Sequence, residues 1–132
     1  MKKICNLLIL GIVSVTILYS CSNYESDIIV YEKVVKEIEN LGYKYIRIKN
    51  GNFIIEYANG NTDVLKIKTN DDQGALSKVK LIKRSGDCIL FVLGGAVDDD
   101  NGLLYAPKHI VDIREFYSIK EIKAFWYEYT TL

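Results

Sequence analysis

The chain has 132 residues, with 17 basic and 17 acidic side chains, 49% hydrophobic residues, three cysteines, one histidine and one proline. That length holds one domain with a modest core, and the balanced charge leaves no electrostatic footprint for nucleic acid. One histidine excludes a metal site built on a histidine pair, and the lack of Gly/Ser-rich stretches excludes a long flexible linker inside the chain.

Lys2 and Lys3 precede an apolar run from Ile4 to Leu18, the order of a charged n-region and a hydrophobic h-region. The stretch from Ile4 to Tyr19 is shorter than the roughly 20 residues a membrane span prefers, and Asn6 interrupts it. The run closes on Leu18-Tyr19-Ser20-Cys21, which resembles the lipobox of bacterial lipoproteins: a branched apolar residue three before a cysteine and a small residue directly before it. Tyr19 departs from the small residue usual at its position. The resemblance implies a signal peptide over 1–20, lipidation at Cys21, a place in the bacterial cell envelope, and the membrane as a partner through that lipid. Several acyl chains make a lasting anchor, because each buried methylene contributes about 0.8 kcal/mol. Residues 21–27, Cys21 to Asp27, are expected as the lipidated cysteine and its tether, and their acidic character resembles the export tether of Bacteroidota lipoproteins.

Loss of residues 1–20 leaves 112 of the 132 residues, removes Lys2 and Lys3, and sets 15 basic against 17 acidic side chains, a balance of −2. With Cys5 removed and Cys21 lipidated, Cys88 has no intrachain partner for a disulfide. A single domain over 28–132 must then hold by burial alone.

Residues 28–41 have helical periodicity. Val30, Val34, Ile38 and Leu41 form a stripe, Glu32, Lys33, Lys36, Glu37 and Glu39 fill the other faces, Ser26 or Asp27 caps the start, and Gly42 stands at the left-handed end position. A meander is expected next. Tyr43–Lys49 and Phe53–Tyr57 alternate about Asn50-Gly51-Asn52, and Asn59-Gly60-Asn61 turns into Leu65 and Ile67, which alternate with Lys66 and Lys68. After a polar loop from Asn70 to Ser77, Val79 and Leu81 alternate with Lys78 and Lys80. Ser85-Gly86-Asp87 turns into Cys88–Leu93, a continuous apolar run that predicts a central strand covered on both faces, ended by a bend at Gly94-Gly95. Leu103–Tyr105 predicts a further strand, Pro107–Tyr117 a short helix or crossover, and Ile122–Tyr129 a last strand. The expectation is an α+β fold: one N-terminal amphipathic helix packed on a curved, mainly antiparallel sheet of about six or seven strands. Helix-then-sheet order of this kind resembles small cystatin-like binding folds in architecture.

Catalytic chemistry finds little footing. His109 lies between Lys108 and Ile110 in a segment that reads as surface, and Cys88 opens an apolar strand where burial disfavours the thiolate. No nucleophile elbow, phosphate loop or zinc motif occurs, and no cofactor is implied. Asp98, Asp100 and Asn101 form a weak candidate oxygen site for a cation, but an EF-hand counted from Gly102 has Val97 first and Lys108 last, so that motif fails.

Two contact surfaces are proposed by the pattern. Arg47, Lys49, Lys66, Lys68, Lys78 and Lys80 share the outer face if the alternation continues through every segment, a face suited to an anionic partner. Phe125, Trp126, Tyr127 and Tyr129 cannot all point one way on a single strand, so either Phe125, Tyr127 and Tyr129 line an aromatic contact, or they enter the core and Trp126 faces outward. These observations predict a small, non-catalytic, lipid-anchored envelope protein that binds a protein, a glycan or an anionic surface. The alternatives are an accessory or structural subunit of an envelope assembly, or an immunity lipoprotein that neutralises a toxin; an enzyme is the least favoured.

Overall fold

The computed structural model describes residues 24–67, 73–95, 99–108 and 116–131. A helix over 24–38, α1, precedes β1 (Tyr43–Lys49), β2 (Asn52–Tyr57), β3 (Thr62–Leu65), a short helix α2 (Gln73–Ser77), β4 (Leu81–Ser85), β5 (Cys88–Gly94), β6 (Asn101–Tyr105), β7 (Ser118–Lys123) and β8 (Trp126–Thr130). All eight strands form one antiparallel sheet in the order β3-β2-β1-β4-β5-β6-β8-β7. The fold is α+β and dominated by the sheet, with eight described strands rather than six or seven.

Helix α1 buries Ile28, Tyr31, Val34, Val35 and Ile38, spaced by three and four residues, and leaves Lys33, Lys36 and Glu37 exposed. Residues 24–27 are already helical, so this part of the expected tether belongs to the domain, and Ser26 and Asp27 lie inside the helix rather than capping it. The Asp27 carboxylate instead receives the Lys78 ammonium at 2.8 Å. The other end also differs from expectation, because Gly42 is not left-handed. Arg84 reaches over from β4 and donates to the Ile38 and Glu39 carbonyls, supplying donors that the last helical turn lacks.

The β1–β2 connection follows its sequence closely. Asn50 and Gly51 have φ of 52° and 74°, and Lys49 pairs with Asn52, as a two-residue turn with both central residues left-handed requires. β5 is the central strand predicted by its apolar run. Ile89 and Phe91 face the helix, whereas Leu90 packs on the opposite side with Leu104, Ala106 and Tyr129. The ladder to β6 shifts between Val92 and Gly94, and a Cβ on Gly95, whose φ is 123°, would stand 1.7 Å from the Asp99 carbonyl oxygen.

Three segments depart from the period-two reading. Part of the expected Asn70–Ser77 loop is α2, whose Ala75 and Leu76 are buried beneath α1. Leu81 begins β4 instead of ending a strand, and Ile82, fully buried, supplies its core contact. The expected single strand Ile122–Tyr129 is a hairpin: β7 and β8 turn at Ala124-Phe125, with Phe125 at a φ of 72°. The Pro107–Tyr117 crossover lies largely outside the described residues.

Tyr31, Phe91, Tyr105 and Trp126 form an aromatic cluster between α1 and the sheet, with Tyr31 and Phe91 stacked at 4.7 Å and Tyr105 at 5.3 Å from Trp126. Trp126→Ala is expected to lower unfolding free energy by about 3–5 kcal/mol in a urea titration. A loss below about 1 kcal/mol would show that the cluster does not organise the helix-side core.

Candidate functional site

The two faces of the sheet are not equally covered. The helix side is packed from Phe53 and Ile55 in β2 across to Trp126 in β8. On the opposite side the described residues form a second apolar cluster over β5, β6, β7 and β8, where Phe116 meets Tyr129 edge-on at 5.5 Å between ring centroids. Over β1, β2 and β3 that second face presents a row set by the ladder, in which Arg47 pairs with Ile54 and Ile54 with Val64. Arg47 alternates with Ile46 and Ile48, both packed on the helix side, which places this row on the other face. Val64 is 56% exposed, Arg47 and Lys49 are exposed, and Tyr45 and Ile54 are half-buried.

This mixed patch of arginine, lysine, tyrosine and aliphatic side chains is the candidate contact site. A tyrosine and an arginine flanked by apolar groups are the residue types that carry protein contacts, because each combines apolar area with directed hydrogen bonding. Its boundary with the covered half is Lys83, which pairs across the ladder with both Tyr45 and Leu90 and holds the Asp100 carboxylate in an ion pair. Sequence alternation marked Arg47 and Lys49 here but passed over Tyr45, Ile54 and Val64. The available signal was the run Phe53-Ile54-Ile55, apolar at both parities in a strand covered on one side only.

The remaining basic candidates do not join this patch. Lys66 lines a groove with Lys33, Lys36, Glu37 and Ile67 beside α1, on the helix side. Lys78 pairs with Asp27 of the same helix, and Lys80 lies just before β4, where its N–H donates to the Val92 carbonyl at 2.8 Å. Lys68 is outside the described residues. The six cations are therefore not gathered on one face, because the ladder that enforces alternation ends at Leu65 and resumes at Leu81.

The aromatic candidates separate as well. Trp126, expected outward when the odd-numbered aromatics are core, is buried under α1. Tyr129 is buried on the opposite face and Tyr127 is half-buried beside it, while Phe125 sits in the turn, 38% exposed. Cys88 is partly buried against the Leu90–Tyr129 cluster. Of the cation candidates, Asp98, like Cys21 and His109, lies outside the described residues. Asp100 is engaged by Lys83, and the Asn101 side chain lies against Gly94, whose added Cβ would meet its Oδ1 at 2.9 Å. Among the described residues no group of three or more metal-ligating side chains occurs, and no helix is long and apolar enough to cross a membrane.

At the end of the sheet near the helix C-terminus, Glu39, Asn40, Arg84, Asp87, Tyr105 and Lys108 border a cleft of about 150 Å³. The Lys108–Asp87 pair at 2.8 Å is solvent-exposed, and its hydrogen bond holds the carboxyl below and the ammonium above their ordinary pKa values. Burial pushes the Tyr43 phenol up, an effect the Arg84 guanidinium over its ring at 4.9 Å opposes. Burial also raises the Tyr31 and Tyr129 phenols well above their usual value, with Asp27 and Asp100 respectively adding to it. Tyr31 donates to the Ala75 carbonyl at 2.8 Å, whereas the Tyr129 hydroxyl has no hydrogen-bond partner among the described residues.

No protein-family model matches this chain, and no curated protein or solved structure is significantly similar to it.

Because the folded state raises the Tyr129 pKa above its unfolded value near 10.0, its contribution is full below that pH and declines as the pH rises further. Tyr129→Phe is expected to leave urea stability at pH 7 unchanged or improved, since it deletes a buried hydroxyl without a partner among the described residues, and to reduce the stability lost by pH 11. A loss above about 1 kcal/mol at pH 7 would reveal a hydrogen bond at that hydroxyl. Millimolar calcium is expected to leave the melting temperature unchanged, since it would have to displace Lys83 from Asp100; a rise of several degrees would place a cation at that loop.

Proposed function

We propose that this chain is a small lipid-anchored protein of the bacterial cell envelope that acts by holding a protein partner, with no chemical step of its own. The anchor in this reading is a lipid on Cys21, supported by the Leu18-Tyr19-Ser20-Cys21 sequence at the end of a signal-peptide-like run. The observation that carries the binding role is the exposed row Arg47–Ile54–Val64 on a sheet in which, among the described residues, β5, β6 and β8 are packed on both sides. A strand face backed by a packed helix is stiff, so little ordering cost opposes association there. The helix packed across the sheet serves, in this reading, as the brace of that platform.

A protein suits the row better than a glycan or a bare anionic surface. Its cations are interleaved with Tyr45, Ile54 and Val64 rather than massed, and such a mixture matches the apolar centre and polar rim of a protein interface. A photo-crosslinking amino acid introduced at Val64 or at Arg47 in cells is expected to give one discrete adduct, while the same group at Glu37 on the exposed side of α1 gives none. Equal adducts from all three positions, or none from any, would remove the row as the contact.

A further inference from the structure

The proposed anchor and the described helix are separated by very little chain. Tyr24 is already helical, its hydroxyl donates to the Glu128 carboxylate at 2.9 Å, and Ile28 one turn later is fully buried, so α1 is fixed to the sheet from its first described turn. Cys21 precedes Tyr24 by three residues. Whatever path residues 21–23 take, three residues reach at most about 11 Å. The 15 helical residues of 24–38 extend about 22 Å. The anchor therefore leaves the domain from one pole and is too short to swing round to the other.

The ladder identifies what stands at each pole. Helix α1 starts beside Lys78, just before β4, and ends beside Arg84, near the end of β4, so it runs alongside β4 in the same direction. β1 is antiparallel to β4, with Tyr45 opposite Lys83, which brings the Asn50-Gly51 turn to the pole where the helix starts. The β5–β6 bulge at Gly94-Gly95 and the pairing of Asn101 with Thr130 lie at the same pole. Four other turns, at Asn59-Gly60, Gly86-Asp87, Pro107-Lys108 and Ala124-Phe125, occupy the opposite pole.

We infer that the pole at which α1 starts lies against the lipid bilayer, and that the pole bearing the Gly86-Asp87 turn is the end presented to solution. The inference rests on the lipid-anchored reading above and adds to it an orientation. Short reach rather than charge sets this orientation, because the described side chains at the bilayer pole mix both signs, with Lys49, Lys66, Lys78 and Lys80 beside Glu25, Asp27 and Asp99, and Lys78 already paired with Asp27. The Arg47–Ile54–Val64 row then stands on the side of the molecule, where a partner approaches parallel to the membrane surface.

The test uses the full-length lipidated protein with Cys88→Ala, purified and reconstituted in phosphatidylethanolamine/phosphatidylglycerol vesicles that contain a headgroup-nitroxide lipid. A fluorophore is placed by Lys80→Cys or by Asp87→Cys, positions at the two ends of the β4–β5 hairpin. Quenching is expected to be at least twofold greater at position 80 than at 87, and a flexible 20-residue Gly/Ser insertion between Ser22 and Asn23 is expected to abolish that difference while the protein stays on the vesicles. Equal quenching at both positions without the insertion, or stronger quenching at 87, overturns the orientation and leaves the anchor standing. The anchor is read separately, as incorporation of an alkyne-labelled fatty acid that Cys21→Ser abolishes; labelling that survives this substitution overturns the anchored reading and the orientation with it.

Discussion

The stacking of Tyr31 on Phe91 is the contact on which the rest of this molecule depends. Tyr31 lies midway along α1 and Phe91 in the strand covered on both sides, with rings 4.7 Å apart and both side chains fully buried. One face of the helix is thereby held to the centre of the sheet, and the hydroxyl of the same tyrosine accounts for the Ala75 carbonyl of α2. A buried phenol needs such a partner, because an unmade hydrogen bond in the interior costs about 1–3 kcal/mol. The seat of the long helix and the seat of the short one are set by a single side chain.

Trp126 completes this arrangement from the other end of the chain, and reaching it requires an uncommon turn. Phe125 takes a left-handed φ of 72°, a conformation that costs a residue with a side chain roughly 1–2 kcal/mol. Burial of a large aromatic side chain next to it exceeds that cost, and the Ala106 N–H donates to the Phe125 carbonyl at 2.8 Å, tying the turn to the segment after β6. The hairpin is thus held by what flanks it rather than by residues suited to turning.

The unequal cover of the sheet follows from where chain is available. α1 spans the helix side, while the cover described on the other side comes from Ala106 and Phe116, which border the β6–β7 connection and sit over the β5–β8 half. β3 is a four-residue edge, and the second face beyond Lys83 keeps solvent on Arg47 and Val64. The connection between α1 and the anchor is equally economical. Residues 24–27 serve the fold, so the reach left for a lipid on Cys21 is short.

The sequence by itself determined the local structure wherever a backbone requirement has a residue signature. Asn50-Gly51 specified its turn because left-handed φ is cheap for asparagine and glycine, and the run Cys88–Leu93 specified a strand covered twice because no parity was left for water. The stripe of α1 was legible for the same reason, although its start and end were not: Tyr24–Asp27 are helical, and the last carbonyls are met by Arg84, 45 residues beyond Glu39. Only the tertiary structure decided the turn at Phe125, the helix α2, the direction of Trp126 and the grouping of the basic side chains. Each of these depends on a partner distant in sequence, and alternation has no authority once the ladder stops at Leu65. Of the proposed basic face, Arg47 and Lys49 alone were legible as neighbours, because they alone share a continuous strand. Tyr45, Ile54 and Val64 joined them through cross-strand register, which is a property of the paired sheet and not of any one segment.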